Sequence, residues 1–112
     1  MKYRIFLGWV IALLVTMSLQ SEAIAAPDLI QGSQVFELQC AGCHVGGGNI
    51  IRRGKNLKLK ALQKNKVDTA ALIASLVTAG KGNMSAYGTK LTSAEIENVS
   101  AYVLDQAMKD WK

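Results

Sequence analysis

Cys40-Ala41-Gly42-Cys43-His44 is the stretch that decides the fold of this chain. Two cysteines separated by two residues and followed directly by histidine are typical of a c-type haem attachment site. Each thiol would add across one vinyl group of the porphyrin, and the two-residue gap lets both sulfurs reach the same edge of the ring. The histidine would lie under the iron as its proximal axial ligand. The motif therefore predicts one covalent haem c, attached through Cys40 and Cys43 and ligated by His44.

The two cysteines have two other interpretations, a disulfide and half of a zinc site. A structural zinc site needs four protein ligands. The chain has neither a third cysteine nor a second histidine. The ligand count therefore favours haem attachment.

The N-terminus has the pattern of an export signal, which fits a haem that is attached across an energy-transducing membrane. Lys2 and Arg4 precede an apolar run from Ile5 to Leu19, and Ala23-Ile24-Ala25 supplies an A-x-A cleavage site. The alternative is an uncleaved anchor, which needs about 20 apolar residues, more than this run has. The sequence thus predicts a cleaved signal peptide over 1–25, a mature domain over 26–112 and no stable membrane insertion after cleavage.

The mature chain is short and mildly basic. Lys2, Arg4 and Glu22 leave with the signal peptide, so the 13 basic and 8 acidic residues of the whole chain become 11 and 7. This excess can steer the protein toward an acidic partner surface, but nucleic-acid binding needs a more concentrated basic face. Removing 25 of the 112 residues leaves 87, enough for one small domain with little core of its own. The haem would supply the missing apolar centre.

Capping signals divide the mature chain into helices. Asp28 is expected to cap a helix over 28–39, and Asp68 is expected to cap another over 69–79 that stops at Gly80. Thr92-Ser93-Ala94-Glu95 has the form of a capping box for a last helix that runs to about Lys109. The segment over 57–64 fits either a short helix or an extended turn. Two helices have apolar stripes, formed by Leu72, Ile73, Leu76 and Val77 and by Ile96, Val99 and Val103.

Gly32 predicts where two helices cross. Glycine inside a helix is costly relative to alanine, so its presence indicates a close approach by another helix. Phe36 lies one turn further on the same face. Tyr102 of the last helix is expected to pack there. Trp111 is expected to act as a hydrophobic seal, with a role in electron transfer as the alternative.

Met84 is the candidate for the second axial ligand. Met1 and Met17 leave with the signal peptide, and Met108 is near the end of a predicted helix. Met84 instead lies in a turn-rich segment among small residues, from which its thioether can reach the iron. An isolated methionine is more often gap-filling core, but the haem motif upstream favours the His/Met coordination of electron-carrying cytochromes.

The segment after His44 combines glycines with basic residues. Gly46, Gly47 and Gly48 are expected to let the backbone turn tightly beside a porphyrin face. The cluster that follows consists of Arg52, Arg53 and Lys55. It fits a solvated surface, and it equally fits a group that neutralises a haem propionate or forms a docking patch, with Lys90 as a further member.

Together these motifs resemble cytochrome c6, a class I c-type cytochrome of cyanobacteria and algae. The resemblance rests on the haem motif, Gly46-Gly47-Gly48-Asn49, Met84-Ser85-Ala86-Tyr87-Gly88, Lys90-Leu91 and the ending that begins at Ala101. It implies an all-α class I cytochrome c fold with about four helices around one haem. It also implies a monomeric electron carrier, not an enzyme, in the thylakoid lumen or periplasm. The implied donor is the cytochrome b6f complex, and the implied acceptor is photosystem I or a respiratory terminal oxidase.

Four positions depart from the pattern of that family. Ser85 stands where the family usually has proline, Tyr87 where it has phenylalanine, and Lys90 where it commonly has arginine. Leu76 replaces a typical glutamine eight residues before the methionine. These changes fit a divergent cytochrome c6-like paralogue, whose natural partner need not be photosystem I.

A haem-based redox or gas sensor with a labile Met84 is the alternative function. A sulfur-to-iron charge-transfer band in the ferric spectrum would favour the carrier, whereas a high-spin spectrum that responds to added ligands would favour the sensor. The lack of a second histidine argues against a distal acid-base group and hence against enzymatic turnover.

Overall fold

The computed structural model describes residues 25–112, so the predicted signal peptide lies outside the described residues except for Ala25. The described part is helical, as expected, and contains five α-helices. The helices are α1 (Leu29–Gln39), α2 (Ala41–His44), α3 (Leu59–Lys64), α4 (Ala70–Ala79) and α5 (Ser93–Met108), with short 3-10 turns at Val45–Gly47 and Arg53–Lys55. The helix beyond the expected four is α2, a single turn inside the haem motif. Within residues 25–112, no helix is both long and apolar enough to cross a bilayer.

Helix α1 begins as the sequence predicts. The Asp28 carboxylate accepts hydrogen bonds from the amides of Ile30 and Gln31, both at 3.0 Å. These bonds satisfy two of the amides that a helix N-terminus leaves without intrahelical partners. The helix buries Val35 and Phe36 and leads directly into Cys40.

Helices α1 and α5 cross and pack closely against each other at Gly32. A Cβ built on Gly32 would lie 2.7 Å from the carbonyl carbon of Asn98 and 2.9 Å from Cβ of Tyr102. The Phe36 and Tyr102 rings pack with centroids 5.5 Å apart. The predicted close approach at Gly32 is therefore confirmed.

Helix α4 begins one residue later than predicted. The N-cap is Thr69, not Asp68, because Thr69 is the last extended residue and its hydroxyl accepts from the Leu72 amide at 3.1 Å. Gly80 ends the helix with φ 68°, as predicted. The buried stripe is narrower than predicted, since Ile73 and Val77 are buried while Leu72 is 44% exposed.

The structure also tests the predictions for the 57–64 segment and for the last helix. The segment that the sequence left open is helical over Leu59–Lys64, and its Leu62 is 2% exposed. In α5, Thr92 and Glu95 form the predicted capping box through reciprocal bonds of 3.0 and 3.1 Å. Of the residues of α5 predicted to face inward, Ile96, Val99 and Val103 are buried and Tyr102 is half-buried.

Trp111 seals the C-terminal end against the turn that follows His44. Its indole covers Gly47, where a Cβ would lie 2.5 Å from the ring, and its centroid is 5.2 Å from that of Phe36. The indole N–H donates to the Leu57 carbonyl at 3.0 Å. The predicted seal is thus confirmed, and its polar end has a partner.

Candidate haem-binding site

A cavity of about 260 Å³ lies between α1, α4 and the segments on either side of α3. Its walls are mainly apolar, and exposed residues along its rim open it to solvent. The structure brings all four predicted site residues, Cys40, Cys43, His44 and Met84, to this one cavity. Apolar wall residues include Phe36, Leu57, Leu62, Val67, Ile73, Leu76, Val77, Val99 and Val103.

Cys40 and Cys43 stand one helical turn apart on the cavity wall. The Cys43 and His44 amides donate to the Cys40 carbonyl at 3.2 and 2.9 Å, so α2 fixes the spacing of the three residues. Burial raises the pKa of the Cys40 thiol to about 11, whereas Cys43 is exposed. The two sulfurs are not joined to each other. The geometry therefore presents two thiols to one edge of the cavity.

The glycine turn orients His44. The imidazole Nδ1–H donates to the Gly48 carbonyl at 2.7 Å. This bond assigns the proton to Nδ1 and leaves the lone pair of Nε2 available to a metal ion. Gly46 and Gly47 have φ of 60° and 79°, values that residues with a Cβ rarely adopt. The predicted tight turn is confirmed, and it supplies the acceptor that sets the tautomer.

Met84 projects from a compact turn after α4. The amide of Lys81 donates to the Met84 carbonyl at 3.1 Å, and the amide of Met84 donates to the Lys81 carbonyl at 3.0 Å. Gly80 and Gly82 permit this turn with φ of 68° and 56°. Met84 is half-buried, lines the cavity and packs against the hydrophobic core. Its thioether is therefore available on the same cavity as the histidine.

Two of the three residues of the basic cluster lie at the cavity rim. Arg52 and Lys55 line the cavity, whereas Arg53 is exposed and does not. The Lys55 ammonium donates to the Asn65 side chain at 2.8 Å. Two of the three cations are thus placed where they could meet an anionic group on a bound ligand.

The hydrogen bond of Tyr87 at this site is one that sequence reasoning missed. The Tyr87 hydroxyl donates to the Gln39 carbonyl at 3.0 Å, and the Lys90 ammonium lies 5.4 Å from the centroid of the Tyr87 ring. Burial raises the pKa of Tyr87, so the phenol keeps the proton that it donates. No pattern in the sequence indicates this bond, because it joins residues 48 positions apart.

The donor set fits a haem better than a bare metal ion. Within residues 25–112, no group of three or more His, Cys, Asp and Glu side chains could hold an ion. The cavity instead offers one imidazole with its tautomer fixed, one thioether, two thiols and extended apolar walls. Apolar walls suit the porphyrin faces, and cations at the rim suit propionates.

Comparisons with known proteins agree with this geometry. Residues 27–103 match the family model described as cytochrome c oxidase, cbb3-type, subunit III. A cytochrome c6-like protein of Nostoc sp. strain PCC 7120 is 53% identical over 87 residues, which cover 78% of each chain. A cytochrome c6 of Thermosynechococcus vestitus is 42% identical over 111 residues, covering 99% of this chain and 98% of that protein.

A solved structure gives the same assignment. Cytochrome c6C from Synechococcus sp. PCC 7002 is 63% identical with a TM-score of 0.71, covering 72% of this chain and 99% of that one. The fold, the cavity and the relatives therefore agree. The chain belongs to the cytochrome c6 family, c-type cytochromes that carry electrons on one covalently attached haem c.

Proposed function

We propose that this protein is exported and carries single electrons from the cytochrome b6f complex to photosystem I or a terminal oxidase. In this proposal, residues 1–25 are a cleaved signal peptide, and 26–112 form the cytochrome domain in the thylakoid lumen or periplasm. The observation that carries it is the convergence of two thiols, an oriented imidazole and a thioether on one apolar cavity. The cytochrome c6 relatives support the same role.

Each of the four site residues has one task in the proposal. Cys40 and Cys43 attach the haem through thioethers, and His44 and Met84 are the axial ligands of its iron. When bound, the haem supplies the one-electron chemistry by alternating between ferrous and ferric iron. His/Met coordination raises the reduction potential into the range of electron-carrying cytochromes.

The protein's own contribution is orientation and exclusion of water. The bond from His44 to the Gly48 carbonyl holds the ring in one tautomer and raises its basicity as a ligand. Apolar side chains such as Leu62 and Val77 keep water from the cavity walls. A site arranged in this way changes little when an electron arrives or leaves, and no described residue offers a second histidine for acid-base turnover.

Charge segregation supports docking to an acidic redox partner. The sequence from Leu38 to Val67 contains seven Lys and Arg residues and no Asp or Glu. All seven are exposed, and Arg52 and Lys55 reach the cavity rim. Interactions between exposed charges are screened by salt, so association with an acidic partner should slow as ionic strength rises.

Replacing Met84 by alanine tests the ligand assignment. The ferric holoprotein should lose its sulfur-to-iron charge-transfer band, and its reduction potential should fall, because the thioether that favours ferrous iron is gone. The matched control is Met108→Ala, since Met108 is 69% exposed and does not line the cavity. Retention of the band in Met84→Ala, with an unchanged potential, would show that Met84 is not the ligand.

An equilibrium redox titration of the purified holoprotein tests the proposed route. A midpoint high enough to accept electrons from cytochrome b6f would support it, and electron transfer to isolated photosystem I or oxidase would then identify the acceptor. A midpoint well below that of cytochrome b6f would exclude this donor and point to a different partner.

The docking surface has its own test. Arg53→Gln should slow electron transfer to an acidic partner at low salt and flatten the salt dependence, because one long-range attraction is removed. Lys112→Gln removes the same charge from a residue whose ammonium lies 3.8 Å from the Asp110 carboxylate, which already offsets it, and should slow the reaction less. Equal effects of the two changes would indicate that only net charge matters.

A further inference from the structure

We propose that Tyr87 is a positioning residue for Met84. Its hydroxyl bonds the Met84 turn, residues 80–88, to the end of α1, next to the haem-attaching Cys40. This inference rests on the proposed role of Met84 as an axial ligand. The contacts around the turn assign the task to the hydroxyl, and not to the ring alone.

Within residues 25–112, the backbone of the Met84 turn is anchored to one helix only, α4. Before Met84, Gly80 donates to the Leu76 carbonyl at 2.8 Å. After Met84, the amides of Tyr87 and Gly88 donate to the carbonyls of Val77 and Thr78 at 2.9 and 3.2 Å. Both ends of the segment are therefore fixed to the last turns of α4. The backbone bonds would let the turn move with α4 relative to the haem motif.

The Tyr87 hydroxyl supplies the missing cross-connection. Among the hydrogen bonds of residues 25–112, the 3.0 Å bond from Tyr87 to Gln39 is the one that joins residues 80–88 to α1 and the haem motif. Gln39 is the last residue of α1, and carbonyls at that end of a helix lack intrahelical partners. The bond thus fixes the Met84 turn against the segment that carries both cysteines.

The position of the ring keeps this bond in place. Tyr87 is half-buried and lines the cavity, and its phenol reaches from the turn to the end of α1. The Lys90 ammonium lies 5.4 Å from the ring centroid, within the range of a cation–π contact. The ring therefore forms part of the cavity wall, with the Lys90 ammonium near one face and its hydroxyl directed at Gln39.

The test measures how readily an added ligand replaces Met84 at the ferric iron of the holoprotein. Imidazole is the probe, and its binding constant is determined from loss of the charge-transfer band. Tyr87→Phe keeps the ring and removes the hydroxyl, so imidazole should bind about three- to tenfold more tightly, the range that loss of one neutral hydrogen bond allows. The reduction potential should fall as well, since a loosened thioether favours ferrous iron less.

Tyr102→Phe is the matched control, because Tyr102 also loses only a hydroxyl and does not line the cavity. Wild-type imidazole affinity and potential in Tyr87→Phe would overturn the proposal, and so would equal changes in both variants. Met84→Ala distinguishes failure of the ligand assignment from failure of the positioning role. If its ferric spectrum already matches the wild type, the ligand assignment fails. If Met84→Ala loses the band while Tyr87→Phe behaves as wild type, only the positioning role fails.

Discussion

Gly32→Ala introduces one methyl group at the crossing of α1 and α5. The new Cβ would lie 2.7 Å from the Asn98 carbonyl carbon and 2.9 Å from Cβ of Tyr102. Carbon atoms in good contact are about 3.5–4.0 Å apart. The nearest atom is the Asn98 carbonyl oxygen, and neither this backbone nor the Tyr102 Cβ can rotate away. The helices must therefore separate by about 1 Å to reach ordinary contact distances.

Two opposing effects set the size of the loss. Alanine in place of glycine favours a helix interior by about 0.5–1 kcal/mol. Overpacking a well-packed site costs about 1–3 kcal/mol, and occasionally more. The crossing also carries Phe36, which is 2% exposed, so separation loosens contacts beyond the new methyl group. The backbone obstacle places the cost at the upper end of its range, about 3 kcal/mol. Subtracting the helix-propensity gain of about 0.5–1 kcal/mol leaves an expected net decrease of about 2 kcal/mol in the free energy of unfolding.

Denaturant unfolding of the holoprotein, followed by far-UV circular dichroism, measures this decrease. Gly54→Ala is the control, since a Cβ on Gly54 meets no atom of residues 25–112 within 4 Å and the residue does not have a left-handed φ. The control should change stability by less than about 0.5 kcal/mol, as is usual for surface positions. An unfolding midpoint for Gly32→Ala at or above that of the wild type would refute the inference that the crossing has no room for a side chain.

Four further substitutions test three local features of the fold by the same unfolding assay. Ser100 is 1% exposed and its hydroxyl has no hydrogen-bond partner among the described residues. Ser100→Ala should raise the free energy of unfolding by about 1 kcal/mol, because it removes an unsatisfied buried group. An unchanged or lower free energy of unfolding would contradict this. Thr69→Ala should cost about 1 kcal/mol and Asp68→Ala close to nothing, because Thr69 is the N-cap of α4; the reverse order would restore Asp68 as the cap. Trp111→Phe should cost at least about 1 kcal/mol, because the bond to the Leu57 carbonyl and part of the indole over Gly47 are both lost, and wild-type stability would show that neither contact stabilises this end.

The parts of the fold that the sequence predicts are those with local causes. Asp28 caps α1 because its carboxylate reaches amides two and three residues away, and the Thr92 capping box works in the same way. The haem motif is also local, since a single turn of helix fixes Cys40, Cys43 and His44. Gly32 predicted a distant contact because glycine is unfavourable in a helix interior unless a neighbouring helix leaves no room for a side chain.

The parts that the sequence could not predict depend on where distant segments meet. Asp68 and Thr69 are both good caps, and the choice between them depends on which residue stays extended as α4 packs. The Gly48 carbonyl that orients His44 leaves no mark in the side-chain pattern, since every residue has a carbonyl. The partner of the Tyr87 hydroxyl is likewise set by how the Met84 turn docks on α1.

The α1–α5 crossing and the Met84 turn are held by different contacts, and this difference has a measurable consequence. The α1–α5 crossing depends on close packing at Gly32, whereas the Met84 turn depends on backbone bonds to α4 and one hydroxyl bond to Gln39. Gly32→Ala should therefore lower the free energy of unfolding with little effect on imidazole affinity, and Tyr87→Phe should raise imidazole affinity with a smaller loss of stability. If the free energy of unfolding and the imidazole affinity change together in both variants, the α1–α5 crossing and the Met84 turn form one cooperative unit.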